Sequence, residues 1–194
     1  MFKEILLRIL SKVKIFRLAK LFQINIDILF YFITINISKL FSSKVDNKLI
    51  VLGGSSGNAF IGNTKYLYSY LKNNTDYKVF YFVKSQKLKQ KLENLGVRTI
   101  YAYSIKAIKT LRISRFIFVT HGLSDIIPVR FSPKTTFIET WHGILMKKYV
   151  NIDDTLEYRK WAKILNLKIE NDNVYDYFIT PSDSEQNLMI LTKF

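Results

Sequence analysis

The stretch Leu49-Ile50-Val51-Leu52-Gly53-Gly54-Ser55-Ser56-Gly57-Asn58 runs from an unbroken apolar segment straight into a turn rich in glycine and serine. An apolar run with no polar alternation is the pattern of a strand covered on both faces, which parallel sheets supply. A helix is predicted next, over 64–71, and then a second apolar strand over 79–83. The alternation continues outward. Residues 85–95 are helical in composition and close at Gly96, a strand over 97–101 follows, and 104–111 form the next helix. A strand over 115–120 ends in His121-Gly122. A loop containing Pro128 and Pro133 then leads to a strand through Phe137 and Ile138. Farther on, Tyr158, Trp161, Ala162 and Leu165 fall at helical spacing and 177–180 read as a strand. After Pro181, Ser182-Asp183-Ser184-Glu185 reads as a capping box for a helix through 191. Strands and helices alternating over short connections predict an α/β fold, a Rossmann-like parallel sheet with helices on both faces and right-handed crossovers, over 49–194.

The bulk composition sets limits on what this domain meets. A chain of 194 residues accommodates one sizeable domain, and a hydrophobic content of 48% excludes general disorder. There is no cysteine, so disulfides and thiolate zinc sites are excluded. Thirty Lys and Arg against 15 Asp and Glu give a net charge of +15, which directs the protein toward polyanions: nucleic acid, an anionic membrane face or phosphate-bearing substrates. Nucleic acid is the poorest fit, because the aromatic residues fall mostly inside predicted strands and helices and no nucleic-acid motif occurs.

The first 41 residues differ in character from the rest. Phe2, Ile5, Leu6, Ile9, Val13 and Phe16 share one helical face, while Lys3, Arg8, Lys12, Lys14, Arg17 and Lys20 fill the other, opposed only by Glu4. One oily and one basic face predict a helix lying in the plane of an anionic membrane. Residues 21–41 are more apolar still, but Gln23, Asn25, Asp27, Asn36 and Lys39 interrupt them. An ionised Asp27 in a spanning helix would cost roughly 2.5–3.5 kcal/mol on insertion scales, so a monotopic arrangement is expected over 1–41, with an unusual transmembrane helix over 21–41 and an ordinary surface helix packed on its own domain over 1–20 as the alternatives. No small-residue cleavage site follows the apolar run, which excludes a signal peptide. Residues 42–48 read as a polar linker.

The chemistry concentrates in Thr135–Tyr149, where an extended run breaks into Trp141-His142-Gly143 and then Lys147-Lys148. A histidine followed by a permissive glycine at a strand end belongs at the carboxyl edge of an α/β sheet, where ligands bind. His142, one of two histidines in the chain, is the candidate base there. Trp141 supplies a wall, and Gly143, Lys147 and Lys148 supply close approach and positive charge. The glycine loop offers Gly57 and Asn58 as substrate contacts through backbone N–H groups, although a tight strand-to-helix turn accounts for it equally well. It lacks G-x-G-x-x-G, and Gly62 is followed by Asn63-Thr64 where a P-loop has Lys and Ser/Thr. His121 ends its own strand and takes a structural or supporting role. A metal shared between His121 and His142 would need a third ligand, and the nearby Asp125 lacks the usual spacing, so no metal is expected.

Thr140-Trp141-His142-Gly143-Ile144-Leu145-Met146-Lys147-Lys148 resembles the WHG-x-x-x-K signature of the CDP-glycerol glycerophosphotransferase family, the polymerases and primases of teichoic acids and related capsular polymers. Tyr175-Asp176-Tyr177-Phe178-Ile179-Thr180-Pro181-Ser182 is similar to that family's strand-to-helix sequence farther on. The chain departs from the pattern at Ile144-Leu145, where the family usually has Thr-Pro. The resemblance implies a GT-B architecture of two Rossmann-like halves, of which this chain carries the N-terminal, acceptor-side half and stops where a further unit would be due. It implies transfer of glycerol phosphate or ribitol phosphate from CDP-glycerol or CDP-ribitol to a lipid-linked or polymeric polyol-phosphate acceptor, with release of CMP and no cofactor. His142 would be the general base, and Lys147 or Lys148 would offset phosphate charge. The expected location is the cytoplasmic face of the cell membrane, as a peripheral protein. The alternative is a non-catalytic membrane-peripheral module that binds polymer or lipid-linked acceptor.

Overall fold

The computed structural model describes residues 29–30, 32–42, 44–141 and 176–179. A helical segment, α1 (32–38), precedes β1 (Asp46–Leu52), α2 (Gly62–Asn74), β2 (Lys78–Val83), α3 (Gln86–Asn94), β3 (Thr99–Tyr101), α4 (Ile105–Ile113) and β4 (Ser114–Val119). After a long connection come β5 (Thr136–Glu139) and β6 (Tyr177–Phe178). The strands form one sheet in the order β3-β2-β1-β4-β5-β6, and every neighbouring pair is parallel. The parallel sheet and the helix on each side of it follow the pattern predicted from the apolar runs.

Side-chain alternation along the strands builds two cores. On one face Val51, Phe82, Ile100, Ile117, Val119 and Phe137 meet Ala107, Ile108 and Leu111 of α4. On the other, Ile50, Leu52, Val79, Tyr81 and Val83 meet Tyr68 of α2 and Leu92 of α3. Successive residues of β1 thus enter opposite cores, which is why the run Leu49–Leu52 contains no polar position. Local signals set the helix ends. Ser85 Oγ accepts the N–H of Leu88 at 3.3 Å and Ser104 Oγ that of Ala107 at 3.1 Å, while Gly96 turns the chain after α3 at φ +74°.

The connection from β4 to β5 contains no α-helix, and α1 covers part of the face it leaves. Phe30, Ile37 and Phe41 pack on the first core, Thr34 Oγ1 donates to Pro128 O at 2.9 Å, and Arg130 N donates to Ser38 Oγ at 2.9 Å. The guanidinium of Arg112 ties Phe41 O to Arg130 O at 2.7 and 2.6 Å. The described part of 1–41 is therefore docked on the sheet domain, with Leu29, Phe32, Ile33 and Leu40 outward. Residues 1–28 lie outside the described residues. Among the described residues no helix is long and apolar enough to cross a membrane. The sheet begins before Leu49: Asp46 pairs with Ser114 and its carboxylate receives Lys78 Nζ at 2.8 Å, so β1 takes up the end of the stretch read as a linker.

Candidate active site at the carboxyl edge of the sheet

The strand order places β1 between β2 and β4, with the chain leaving β1 toward one side of the sheet and β4 toward the other. That is a topological switch point, where the loops after two neighbouring strands part and leave a crevice. Three segments meet there: the loop after β1, the loop after β4 and the end of β5.

Asp125 joins the first two. It is fully buried, and its Oδ1 accepts Ser56 N at 2.6 Å while Oδ2 accepts Thr120 N at 2.6 Å, Thr120 Oγ1 at 3.0 Å and His121 N at 2.9 Å. A carboxylate is an acceptor-only group, so one side chain satisfies donors from both loops at once. Gly53 and Gly54 allow this close approach. A Cβ on Gly53 would come within 2.8 Å of Asp125 Cβ, and one on Gly54 within 2.5 Å of Tyr81 Oη. Burial pushes the Tyr81 phenol up to about 12, and its hydroxyl donates to Ala59 O at 3.1 Å.

The glycine-rich loop splits its N–H groups: Ser55 and Ser56 reach Thr120 Oγ1 at 3.4 Å and Asp125 Oδ1 at 2.6 Å, and the next two bond within the loop. Ser55 and Ser56 adopt left-handed backbone angles, φ 51° and 54°, and Gly57 follows at 78°. Gly57 N donates to Gly54 O and Asn58 N to Ser55 O, at 2.9 and 3.0 Å. The backbone donors of Gly57 and Asn58 thus close the turn.

Glu139, the last residue of β5, joins the β4 loop to the chain that leads into His142. It is 2% exposed, and it accepts Gly122 N at 2.9 Å and Trp141 N at 3.0 Å. Burial pushes its carboxyl up to about 7, with Asp125 adding to the rise and the two N–H donors opposing it. Asn63, at the start of α2, donates its side-chain amide to Thr140 O at 2.9 Å and Trp141 O at 3.1 Å. Trp141 itself is left-handed, φ 53°, and its ring lies 5.7 Å from that of Phe178. The residue before His142 is thereby held from three sides, by β5, α2 and β6.

His121 stands at the same edge, exposed, with Nδ1 2.8 Å from Thr120 Oγ1 and 3.8 Å from Asp125 Oδ1. Trp141, His121, Gly57 and Asn58 are thus placed on the carboxyl side of the sheet. His142, Gly143, Lys147 and Lys148 lie outside the described residues. Among the described residues no group of three His, Asp or Glu side chains could hold a metal ion. The two buried carboxylates are the features that spacing did not reveal. Asp125 has no metal-ligand spacing in the sequence, and Glu139 ends an apolar run, where an acidic residue is itself a signal of a built polar contact.

Residues 34–191 match the family model of the CDP-glycerol:poly(glycerophosphate) glycerophosphotransferases. The chain belongs to that family. As a glycerophosphotransferase family member it shares its fold with solved structures of the wall teichoic acid polymerase TagF. One is a histidine-to-asparagine variant soaked with CDPG, at TM-score 0.58 and 15% identity over 92% of this chain and 44% of that one. Another is TagF without a named substitution, at TM-score 0.54 and 16% identity over 93% of this chain and 43% of that one. The chain therefore spans less than half the length of the structures it matches. No curated protein matches it at a significant level.

Proposed function

We propose that this chain is the acceptor-side half of a polyol-phosphate transferase of GT-B architecture. It moves glycerol phosphate, or ribitol phosphate, from a CDP-activated donor to a hydroxyl of a teichoic-acid-like or capsular polymer. The observation that carries the reading is Trp141, the residue that precedes His142 in sequence, held at the carboxyl end of β5 by Glu139 and Asn63 beside the β1/β4 switch point. Membership of the glycerophosphotransferase family supports the reaction class.

In this reaction the acceptor oxygen forms a bond to the β-phosphorus of the donor. The bond from that phosphorus to the bridging oxygen breaks, and CMP leaves with the electron pair. Neutral His142 takes the hydroxyl proton as the oxygen approaches phosphorus. Lys147 or Lys148 offsets phosphate charge on the acceptor or in the transition state. Trp141 and Gly143 shape the entry for the acceptor, with Gly57 and Asn58 across the crevice. The chain works at the cytoplasmic face of the membrane, held by the basic amphipathic segment within 1–41.

The test is CMP release from CDP-glycerol by the gene product in its full natural length, with and without His142→Ala. Loss of transfer with an unchanged fold supports the base assignment, and retained turnover removes it. A second reading is a membrane-peripheral module that binds acceptor and turns nothing over. Saturable CDP-glycerol binding with CMP release by this chain excludes that reading.

A further inference from the structure

The sheet has a second edge, opposite the one that carries Trp141. The order β3-β2-β1-β4 brings the amino ends of four parallel strands side by side, and at roughly 4.8 Å between neighbours they span about 14 Å. Leu49 pairs with Lys78 and Ile50 with Phe116, so Lys48, Lys78 and Arg115 start adjacent strands at nearly one level. Arg98 stands just before β3, and Lys72 lies in the last turn of α2. Lys72, Thr75, Asp76, Tyr77, Val79 and Arg98 line a cleft of about 280 Å³ at this edge.

Charge is unbalanced along it. Lys48 is paired with Asp76, and Lys78 Nζ with Asp46 Oδ2 at 2.8 Å. The other three cations meet only neutral groups. Lys72 Nζ donates to Gly96 O at 2.7 Å, and Arg115 donates to Thr136 Oγ1 at 3.1 Å and to Lys134 O. The guanidinium of Arg98 has no hydrogen bond or ion pair among the described residues. Five cations, Lys48, Lys72, Lys78, Arg98 and Arg115, against two carboxylates, Asp46 and Asp76, leave an excess of three. The carbonyl ends of α2 and α3 favour a cation here, and Lys72, bonded to Gly96 just after α3, answers both. Arg98 and Arg115 remain beyond that need.

A row of cations across parallel strands fits a linear polyanion, and a guanidinium takes two phosphate oxygens at once. Two features single out a chain of simple phosphodiesters. Tyr77 and Phe116 stand edge to face, ring centroids 6.4 Å apart and partly buried, so they offer nucleic-acid bases no stacking surface. The row contains no exposed apolar side chain, which a bilayer contact would bury.

We propose that the amino edge of β3, β2, β1 and β4, with the cleft between Lys72 and Arg98, binds a phosphodiester segment of the acceptor polymer, on the far side of the sheet from the candidate active site. The site rests on the reading of the chain as an acceptor-side half. It would hold the polymer while its terminus is engaged at the other edge.

The test uses the full chain labelled with ¹⁵N-arginine at mildly acidic pH, where Arg98→Gln assigns the Arg98 Nε–H signal. Hexa(glycerol phosphate) should move that signal. Lys72 and Arg98 are exposed, so Lys72→Gln with Arg98→Gln keeps the fold and should weaken the oligomer's apparent affinity about 3- to 10-fold. Lys87→Gln with Lys91→Gln removes the same charge from α3 outside the cleft and should change affinity by less than about twofold. Equal losses in the two double variants would reduce the effect to net charge and overturn the site. A single-stranded DNA hexamer that binds as tightly and through Arg98 overturns the polymer assignment, as do phosphatidylglycerol vesicles that move the Arg98 signal when the oligomer does not. An oligomer that binds without moving Arg98 removes the site and leaves the proposed function standing. If the oligomer does not bind at all, the acceptor-side reading fails together with the site.

Discussion

The carboxylate of Glu139 receives the backbone N–H of Trp141 at 3.0 Å, two residues along its own chain, while its other oxygen holds Gly122 on the neighbouring strand's loop. A buried acid thus sets the direction in which the chain leaves the sheet for His142. Its energetics are pH-dependent. Burial raises the carboxyl from 4.5 to about 7, so the folded state holds this proton more tightly than the unfolded one. The contribution to stability is full below about pH 4.5, is lost as pH rises toward 7 and is level above it. A rise of this size corresponds to roughly 3 kcal/mol. Urea unfolding of the chain and of Glu139→Gln at pH 5 and pH 8 should show the unsubstituted protein losing that margin relative to the variant. Parallel pH profiles would remove Glu139 as the titrating group.

Asp125 is the knot between the β1 and β4 loops, and its removal should be costly. Asp125→Ala leaves the N–H groups of Ser56, Thr120 and His121 without their carboxylate. The expected loss is about 3 kcal/mol or more, because hydrogen bonds to charged groups contribute about 1.5–3 kcal/mol each and buried donors are left unsatisfied. Asp125→Asn, which keeps an acceptor oxygen, should lose less. Equal midpoints for the two variants in denaturant would contradict the assignment.

Gly54 marks the tightest approach of β1's loop to α2 and β2. A methyl group there would meet Tyr81 Oη at 2.5 Å and Thr64 Oγ1 at 2.7 Å. Gly54→Ala should therefore destabilise by about 1–3 kcal/mol through overpacking. Restoring stability with Tyr81→Phe in the same chain would identify the phenol oxygen as the obstacle; a double variant no better than Gly54→Ala would point to Thr64.

The opposite sign is expected one residue on. Ser55 sits at φ 51°, a conformation that costs an L-residue roughly 1–2 kcal/mol and glycine nothing. Ser55→Gly relieves this at about 0.5–1 kcal/mol of added chain entropy in the unfolded state. A net gain of about 0.5 kcal/mol should appear as a higher thermal midpoint, and a drop of 1 kcal/mol would show that the Ser55 side chain is needed in the turn.

The sheet was readable because its determinants are local. The run Leu49–Leu52 had to be apolar at every position to enter two cores, and the helices read over 85–95 and 104–111 start just after Ser85 and Ser104, whose hydroxyls cap them. Of the candidate site, Trp141-His142-Gly143 is a contiguous signal in the chain, and of these Trp141 is described. Its supports give no such signal. Asp125 and Glu139 reach partners on other strands, Asn63 spans from α2 to β5, and none of these contacts leaves a spacing in the chain. The docking of α1 was missed for a related reason: Phe30, Ile37 and Phe41 share a composition with membrane-facing residues, and only the long β4–β5 connection shows that the sheet has room for them.

The proposed mechanism turns on His142 removing the acceptor's proton. It is tested most directly by the rate of CMP release from CDP-glycerol, with a polyol-phosphate acceptor, by the natural full-length enzyme and its His142→Ala and His142→Gln variants. The account predicts a fall of about 10²- to 10⁴-fold in kcat for both, with acceptor affinity retained and the thermal midpoint unchanged. Turnover within a few-fold of the unsubstituted enzyme would contradict it.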